Sequence, residues 1–427
     1  MFSFFRTRFS RTLPGLLAGI ALTASAFAAD TPAARPIPLA GADELTPSRS
    51  EYFSWINNAW EGSDATQTRV NLDFFRWLHD TYGMKLDIYA LDAGNLDTNG
   101  RRYGNTTSPG FLQKYPQGFG PLAKQAAAMN TRLGMWAGPD GFGNTPAEAA
   151  ARAETVTALF RDHNFALLKL DGACGTLRRE KWTEFDNMMT EIRRHVPDAI
   201  LLNHRLKLGP GTRHATTFLL GGDETYIDVH MTNKTTGSHH RVAAISRELP
   251  PRLTRLTEDH GVCLSSCLDY WEDDLILQAF NRNLILAPEI YGNPWFLRDT
   301  EYARLAYIFN LHRHYRDILV HGQTLPPEKY GPNAVTRGDA TTRFVTLRNL
   351  TWEPVTHTVT LDKEIGLEKP ADANAQVRVR LYHPAYRDLG VYPYGAQIPI
   401  ETAPFRSLLF KAVVEPAPSL DKLWADT

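Results

Sequence analysis

RLGMWAGPDGFGNTPAEAAARAETVTALFRDHNFALLKLD, residues 132–171, decides the fold. Arg132–Ala137 (RLGMWA) is a short, mostly apolar run of the kind that forms a buried strand. Ala147–Asn164 then carries Ala, Arg and Leu at helical spacing, with Thr145 placed to cap it and Pro146 suited to its first turn. Phe165–Leu170 (FALLKL) is a second apolar run, and Asp171 ends it. Strand, helix and strand in this order predict two parallel strands joined by a helical crossover.

The same alternation extends on both sides. Met84–Leu91 (MKLDIYAL) reads as a strand after a helix over Asn71–Tyr82, and a helix over Gly120–Asn130 leads into residue 132. Beyond Asp171, Glu180–His195 reads as a helix, while Ala199–Asn203 (AILLN) and Thr216–Leu220 (TTFLL) read as strands. This repetition favours an α/β fold of the (β/α)8 TIM-barrel type. The alternative is an open doubly wound sheet, which more often shows a Gly-rich phosphate loop after its first strand; none is present. Near residue 330 the texture changes. Arg343–Arg348, Thr356–Leu361, Val377–Tyr382 and Ser407–Ala412 are short β-rich runs between turn residues, read as a small antiparallel β-sandwich.

Arg6, Arg8 and Arg11 precede an apolar run, Leu13–Ala24, and Ala26-Phe27-Ala28 fits the small-x-small cleavage rule. The expected layout is a signal peptide at 1–28, a Pro/Ala/Ser-rich linker at 29–50, a catalytic barrel at 51–328 and a C-terminal sandwich at 329–427. Export to the periplasm or the medium follows from that reading, as does a mature chain with no membrane-spanning segment. The net charge of -1 argues against a nucleic-acid partner, which wants a basic excess. Nine Trp suit a sugar binder, though any large core uses them too. Export permits disulfides, but the cysteines number three, Cys174, Cys263 and Cys267; the last two are spaced for one face of a helix. Numerous histidines (His79, His163, His204, His214, His230, His239, His240) lack tight ligand spacing, so no metal or cofactor is expected.

In a parallel barrel the catalytic groups lie at the C-terminal ends of strands. Carboxylates that directly follow apolar runs are therefore the candidates: Asp92, Asp140, Asp171 and Asp223, with Asp269 before an apolar helix. Several acids converging on one rim is what glycoside hydrolysis needs, one to attack the anomeric carbon and one to protonate the leaving oxygen. Asp171 is the nucleophile candidate. Lys169 lies two residues earlier, on the same face of the strand, and a neighbouring cation suits a group that works as an anion. The competing reading of this pair is a structural ion pair at a strand end. Asp223, after Gly221-Gly222, is the acid/base candidate; Glu224 and Asp228 lie near enough to compete.

At these residues the chain resembles the clan D α-galactosidases, glycoside hydrolase families 27 and 36, the melibiases. The resemblance runs in order over residues 51–300. Ser54-Trp55-Ile56-Asn57-Asn58-Ala59-Trp60-Glu61 looks like the family's first strand ending, and Leu91-Asp92-Ala93-Gly94 like the stretch after strand two. Tyr115-Pro116-Gln117-Gly118-Phe119 and Leu133-Gly134-Met135-Trp136 look like the lead into strand three. Leu168-Lys169-Leu170-Asp171 matches the nucleophile strand. Gly221-Gly222-Asp223 resembles the acid/base segment, and Leu284-Ile285-Leu286-Ala287-Pro288 the last-strand region. The resemblance implies Asp171 and Asp223 as the catalytic pair. Substrate contacts are also expected from Trp60, Asp92, Lys169 and Asp228, and further candidates follow from position: Trp136 and Asp140 at the end of strand three, Asn203, His204 and Arg205 after strand five, and Asp269, Trp271 and Asp273 in an acidic-aromatic loop. Ordinary loop structure is the competing reading for each of these.

The departures concern the sugar. The family has paired aspartates after strand two; here Ala93 follows Asp92, and Asn95 stands where Trp is expected. A missing sugar-gripping carboxylate removes a charged hydrogen bond of ~1.5–3 kcal/mol. Cys174 lies three residues beyond the nucleophile where the family has two, and apolar residues replace an Arg before the acid/base. With a barrel starting near residue 50, the layout resembles family 27 more than family 36. The expected activity is a retaining exo-α-glycosidase acting on an oligosaccharide or glycoside. The same machinery on an α-glucoside, β-L-arabinopyranoside or N-acetylgalactosaminide is the second reading, and a non-catalytic carbohydrate-binding barrel the third.

Overall fold

The computed structural model describes residues 47–55, 63–96, 106–204, 206–215, 261–264, 271–282, 284–332, 334–371 and 374–415. The expected signal peptide, most of the linker, the Thr216–Leu220 strand, Trp60, Arg205, Asp223, Glu224, Asp228, Cys267 and Asp269 lie outside these residues.

A TIM-type parallel barrel sheet precedes an antiparallel sandwich. The chain enters through β1 (Arg49–Phe53), α1 (Ala65–Tyr82) and β2 (Ile88–Leu91). The short helices α2 (Pro109–Lys114) and α3 (Gly120–Ala127) lead to β3 (Arg132–Ala137), α4 (Pro146–His163) and β4 (Leu167–Asp171). Then come α5 (Trp182–His195), β5 (Ile200–His204), β6 (Val262–Cys263) and β7 (Leu286–Tyr291). The parallel sheet runs β5-β4-β3-β2-β1-β7-β6. The first strand pairs with the seventh, Tyr52 opposite Ile290 and Phe53 opposite Tyr291, the neighbour relation that a closing barrel requires.

Local signals place these elements. Thr145 accepts the Glu148 amide at 3.2 Å while the Glu148 carboxylate accepts the Thr145 amide at 3.0 Å, a capping box that starts α4 at Pro146. Asn164 closes it in the left-handed region at φ 52. Asp64 caps α1, which begins earlier than the expected Asn71. The strand expected from Met84 shortens to Ile88–Leu91, and β1 starts at Arg49, inside the expected linker. Cys263 is buried in strand β6 rather than on a helix.

Each strand of the barrel sheet alternates. Tyr52, Tyr89, Leu91, Leu133, Met135, Leu168, Leu170 and Leu201 join the large core shared with the helices. Phe53, Ile88, Ala90, Trp136, Leu167, Ile200, Leu202, Cys263 and Tyr291 form a separate cluster, the barrel interior. At the N-terminal end Asp198 accepts Arg49 at 2.8 Å and Arg132 at 2.9 Å, tying β1 and β3 to the entry of β5. Gly134 is part of the interior row for steric reasons. A Cβ there would sit 2.9 Å from Ala90 Cβ and 3.2 Å from Leu167 Cβ, both anchored to backbone. Gly134→Ala is therefore expected to cost about 1–3 kcal/mol in urea unfolding, by forcing β2 and β4 apart. A variant as stable as the parent would refute that account.

After the helix Asp299–Tyr315 the antiparallel part begins, with β8 (Gly322–Thr324) already ahead of the expected boundary at 329. It continues with β9 (Val335–Gly338), β10 (Thr342–Arg348), β11 (Val355–Thr360), β12 (Gln376–His383), β13 (Arg387–Pro393), β14 (Gln397–Thr402) and β15 (Ser407–Glu415). A six-stranded sheet, β13-β12-β15-β10-β9-β8, faces the β11-β14 pair. Val345, Val377, Val379 and Phe410 from the large sheet pack with Val359, Ile398 and Ile400 from the small one. That shared core makes the unit a sandwich.

Candidate active site

The C-terminal ends of the parallel strands collect the polar groups. Asp171 ends β4 and lies directly opposite His204 at the end of β5. His204 Nε2 stands 3.9 Å from Asp171 Oδ1; the histidine is 1% exposed and the aspartate 18%. The carboxylate thus has buried protein on one side and access to solvent on the other. One pleat below, Lys169 pairs with Leu202 on β5 and Trp136 on β3. Residues two apart on a strand share a face, so Lys169 and Asp171 point the same way, into the barrel with Leu167. The Lys169 ammonium lies 4.0 Å from the centroid of the Phe53 ring, a cation–π contact reaching across to β1. Phe53, Trp136 and Leu202 are buried and form an apolar floor under the Asp171–His204 pair.

Around this floor stand groups that follow the strands. Trp55, Ala93 and Cys174, just beyond β1, β2 and β4, are half-buried and pack on the interior cluster. Trp55 meets Tyr291 edge-on at 5.7 Å between ring centroids. Asp92 follows β2 with the parity of Ala90 and is buried. Its amide donates to Ser54 Oγ at 3.0 Å, and its carbonyl accepts the Asn95 side chain at 2.7 Å. Asn95 is in turn held by the Tyr115 hydroxyl. Burial pushes that phenol up to about 12, so it stays a neutral donor. Where the resembling family carries a tryptophan, this chain has an amide that fastens the loop.

Not every expected residue reaches the mouth. Asn203 has the opposite parity to His204 and faces the helical layer; its amide donates to the Leu206 carbonyl and accepts the Leu206 amide, both at 3.0 Å. Asp140 lies on the rim but is ion-paired with Arg178, which also donates to the Asn144 side chain at 3.0 Å and joins the loops after β3 and β4. Trp271 is fully buried at the start of the helix Trp271–Phe280, and its indole donates to Glu301 at 3.0 Å. Asp273 in the same helix turns toward the C-terminal sheet. His79 pairs with Asp80 in α1 and His214 with Asp186 on α5, both away from the strand ends. Sequence reasoning quoted Trp55 in the first-strand ending without giving it a contact, and passed over Phe53 and Tyr291. Phe53 and Tyr291 face each other across the β1–β7 register, a pairing no local pattern shows.

No family model matches the chain, and no curated protein matches it. Solved structures do. A β-L-arabinopyranosidase of glycoside hydrolase family 27 from Geobacillus stearothermophilus superposes with a TM-score of 0.56 at 14% identity, over 89% of this chain and 98% of that one. α-Galactosidase I from Mortierella vinacea gives 0.55 at 13% identity, over 88% and 98%. An α-galactosidase from Saccharomyces cerevisiae, solved with raffinose, gives 0.52 at 13% identity, over 87% and 98%. At this identity the likeness is one of fold: barrel and sandwich in the same order, along nearly the full length of each.

Proposed function

We propose that this protein is a retaining exo-α-glycosidase of the α-galactosidase type. The observation that carries the reading is the Asp171 carboxylate, partly open at a strand end, with buried His204 at 3.9 Å and the Lys169–Trp136–Phe53 floor beneath. A sugar ring seated there meets apolar surface on one face and polar groups at its edge, which suits a pyranose. In the proposed reaction Asp171 attacks the anomeric carbon as the glycosidic bond breaks. Asp223 gives its proton to the leaving oxygen, and the glycosyl group stays bonded to Asp171. Asp223 then removes a proton from water, whose oxygen displaces the carboxylate and restores both acids with net retention. His204 lies close enough to Asp171 for one substrate hydroxyl to bridge them. No metal or cofactor enters this scheme.

A second reading keeps the chemistry and changes the sugar. Ala93 places a methyl group where the family carries a second aspartate, and it packs on the interior cluster. An apolar wall there favours a sugar lacking one exocyclic hydroxyl, such as a β-L-arabinopyranoside, the substrate class named for one structural neighbour.

The test combines trapping with a substrate panel. Incubation with a 2-deoxy-2-fluoro α-galactosyl donor, peptic digestion and mass spectrometry are expected to find the sugar on the peptide containing Asp171. Label on another carboxylate would overturn the nucleophile. Initial rates on aryl α-galactoside and aryl β-L-arabinopyranoside decide between the two sugars, whichever gives the higher kcat/KM. Sugar binding without turnover of any aryl α-glycoside would leave a binding barrel instead.

A further inference from the structure

Trp352, in the turn between β10 and β11, is 76% exposed, the most open large apolar side chain among the described residues. The turn holds it firmly. Buried Asn349 donates to the Glu353 carbonyl at 2.6 Å and the Thr402 carbonyl at 3.1 Å, and accepts the Thr351 amide at 2.8 Å. Phe405 stands at right angles to the indole, with 4.6 Å between ring centroids, and its backbone is in the left-handed region at φ 54. A non-glycine residue takes that conformation only where its surroundings impose it. The sequence thus spends a buried amide network and a strained backbone on presenting one aromatic ring to solvent.

Beyond Phe405 and Pro354 the neighbourhood of the ring is polar. Thr351 and Glu353 flank it and are exposed. The β11–β14 pair starts at the same end, with Val355 opposite Thr402, and turns outward Thr356 beside Glu401 and Thr358 beside Pro399. The apolar patch is therefore the indole with the Phe405 ring at right angles to it, and the outward face of β11–β14 adds hydroxyls, a proline and a carboxylate. A stable protein interface needs about 800 Å² per partner with an apolar centre, far more than two rings supply. A pyranose needs one flat apolar face with hydrogen-bonding groups at its margin. We infer that Trp352, Phe405 and the outer face of β11–β14 form a second carbohydrate-binding platform, separate from the barrel mouth, which holds a glycan chain. The choice of a sugar ligand class rests on the glycosidase reading above; the platform geometry does not.

Native affinity electrophoresis tests it, with galactomannan cast into the gel as the probe and a blank gel as reference. The parent protein is expected to be retarded by galactomannan. Trp352→Ala should lose that retardation, with binding weakened about tenfold or more, and Trp352→Phe should keep part of it. Hydrolysis of an aryl α-glycoside should be unchanged in both variants. Equal retardation of Trp352→Ala and parent would overturn the platform, as would a parent that runs alike in both gels. If no aryl glycoside is turned over, yet retardation is lost in Trp352→Ala, the glycosidase reading falls and the platform stands.

Discussion

Asparagine at position 171 is expected to lower kcat on the best aryl α-glycoside by about a thousandfold or more, with KM little changed. The substitution keeps the shape of the side chain and removes its ability to attack carbon. Position 171 is the last residue of β4, held by its pairing with His204 on β5, so the strand itself should not move. Thermal unfolding of Asp171→Asn is accordingly expected to match the parent, and that match separates lost chemistry from lost fold. A shorter variant sharpens the result. In Asp171→Gly a small anion such as azide can occupy the vacated space, attack the anomeric carbon and release a glycosyl azide of inverted configuration. Turnover of Asp171→Asn within tenfold of the parent would remove this residue from the mechanism.

The strand that carries Asp171 was readable because its neighbours announce themselves locally. Thr145 and Pro146 mark where the crossover helix starts, Asn164 where it stops, and an apolar run bounded by such signals has little choice but to be a buried strand. Lys169 and Asp171 share a face by the two-residue repeat alone. The same repeat gives no help one strand later. Ile200–Leu202 is apolar at every position, so the sequence carries no phase to say whether Asn203 or His204 points inward. The phase comes from hydrogen bonding to β4, which sets Asp171 opposite His204 and turns Asn203 to the helices. The surroundings of Trp271 and Asp273 were hidden for a different reason. An acidic-aromatic stretch reads as a pocket wall until its partners are known. Glu301, His383 and Arg406, the partners here, lie far along the chain. Asp140 has the position of a rim acid, and only the fold brings Arg178 against it.

Asp273 is where the second large effect is expected. It sits in the helix Trp271–Phe280 of the barrel layer, 3% exposed, and meets the C-terminal sheet. Arg406 donates to it twice, at 2.6 and 2.9 Å, the Ser407 amide once at 3.0 Å, and His383 Nε2 completes the set. Arg304 donates to the other ring nitrogen of His383 at 2.7 Å, which leaves the Nε2 proton for the aspartate. Burial alone would raise the Asp273 carboxyl; the Arg406 and His383 contacts outweigh it and bring it down to about 2. A carboxyl lowered in the folded state contributes stability that is complete above its unfolded value of about 4 and fades as pH falls toward the folded value. Asp273→Ala removes the anion to which His383 and Arg406 donate, the costly way to break a buried pair. A loss of about 3 kcal/mol is expected at neutral pH in urea unfolding, shrinking as the solution is acidified from about pH 4 to pH 2. The double variant with Arg406→Ala should be less unstable than the sum of the singles by about 1 kcal/mol or more, because the two share one interaction. Strict additivity, or an Asp273→Ala protein as stable as the parent, would mean that this ion pair adds nothing to the hold of the sandwich on the helix Trp271–Phe280.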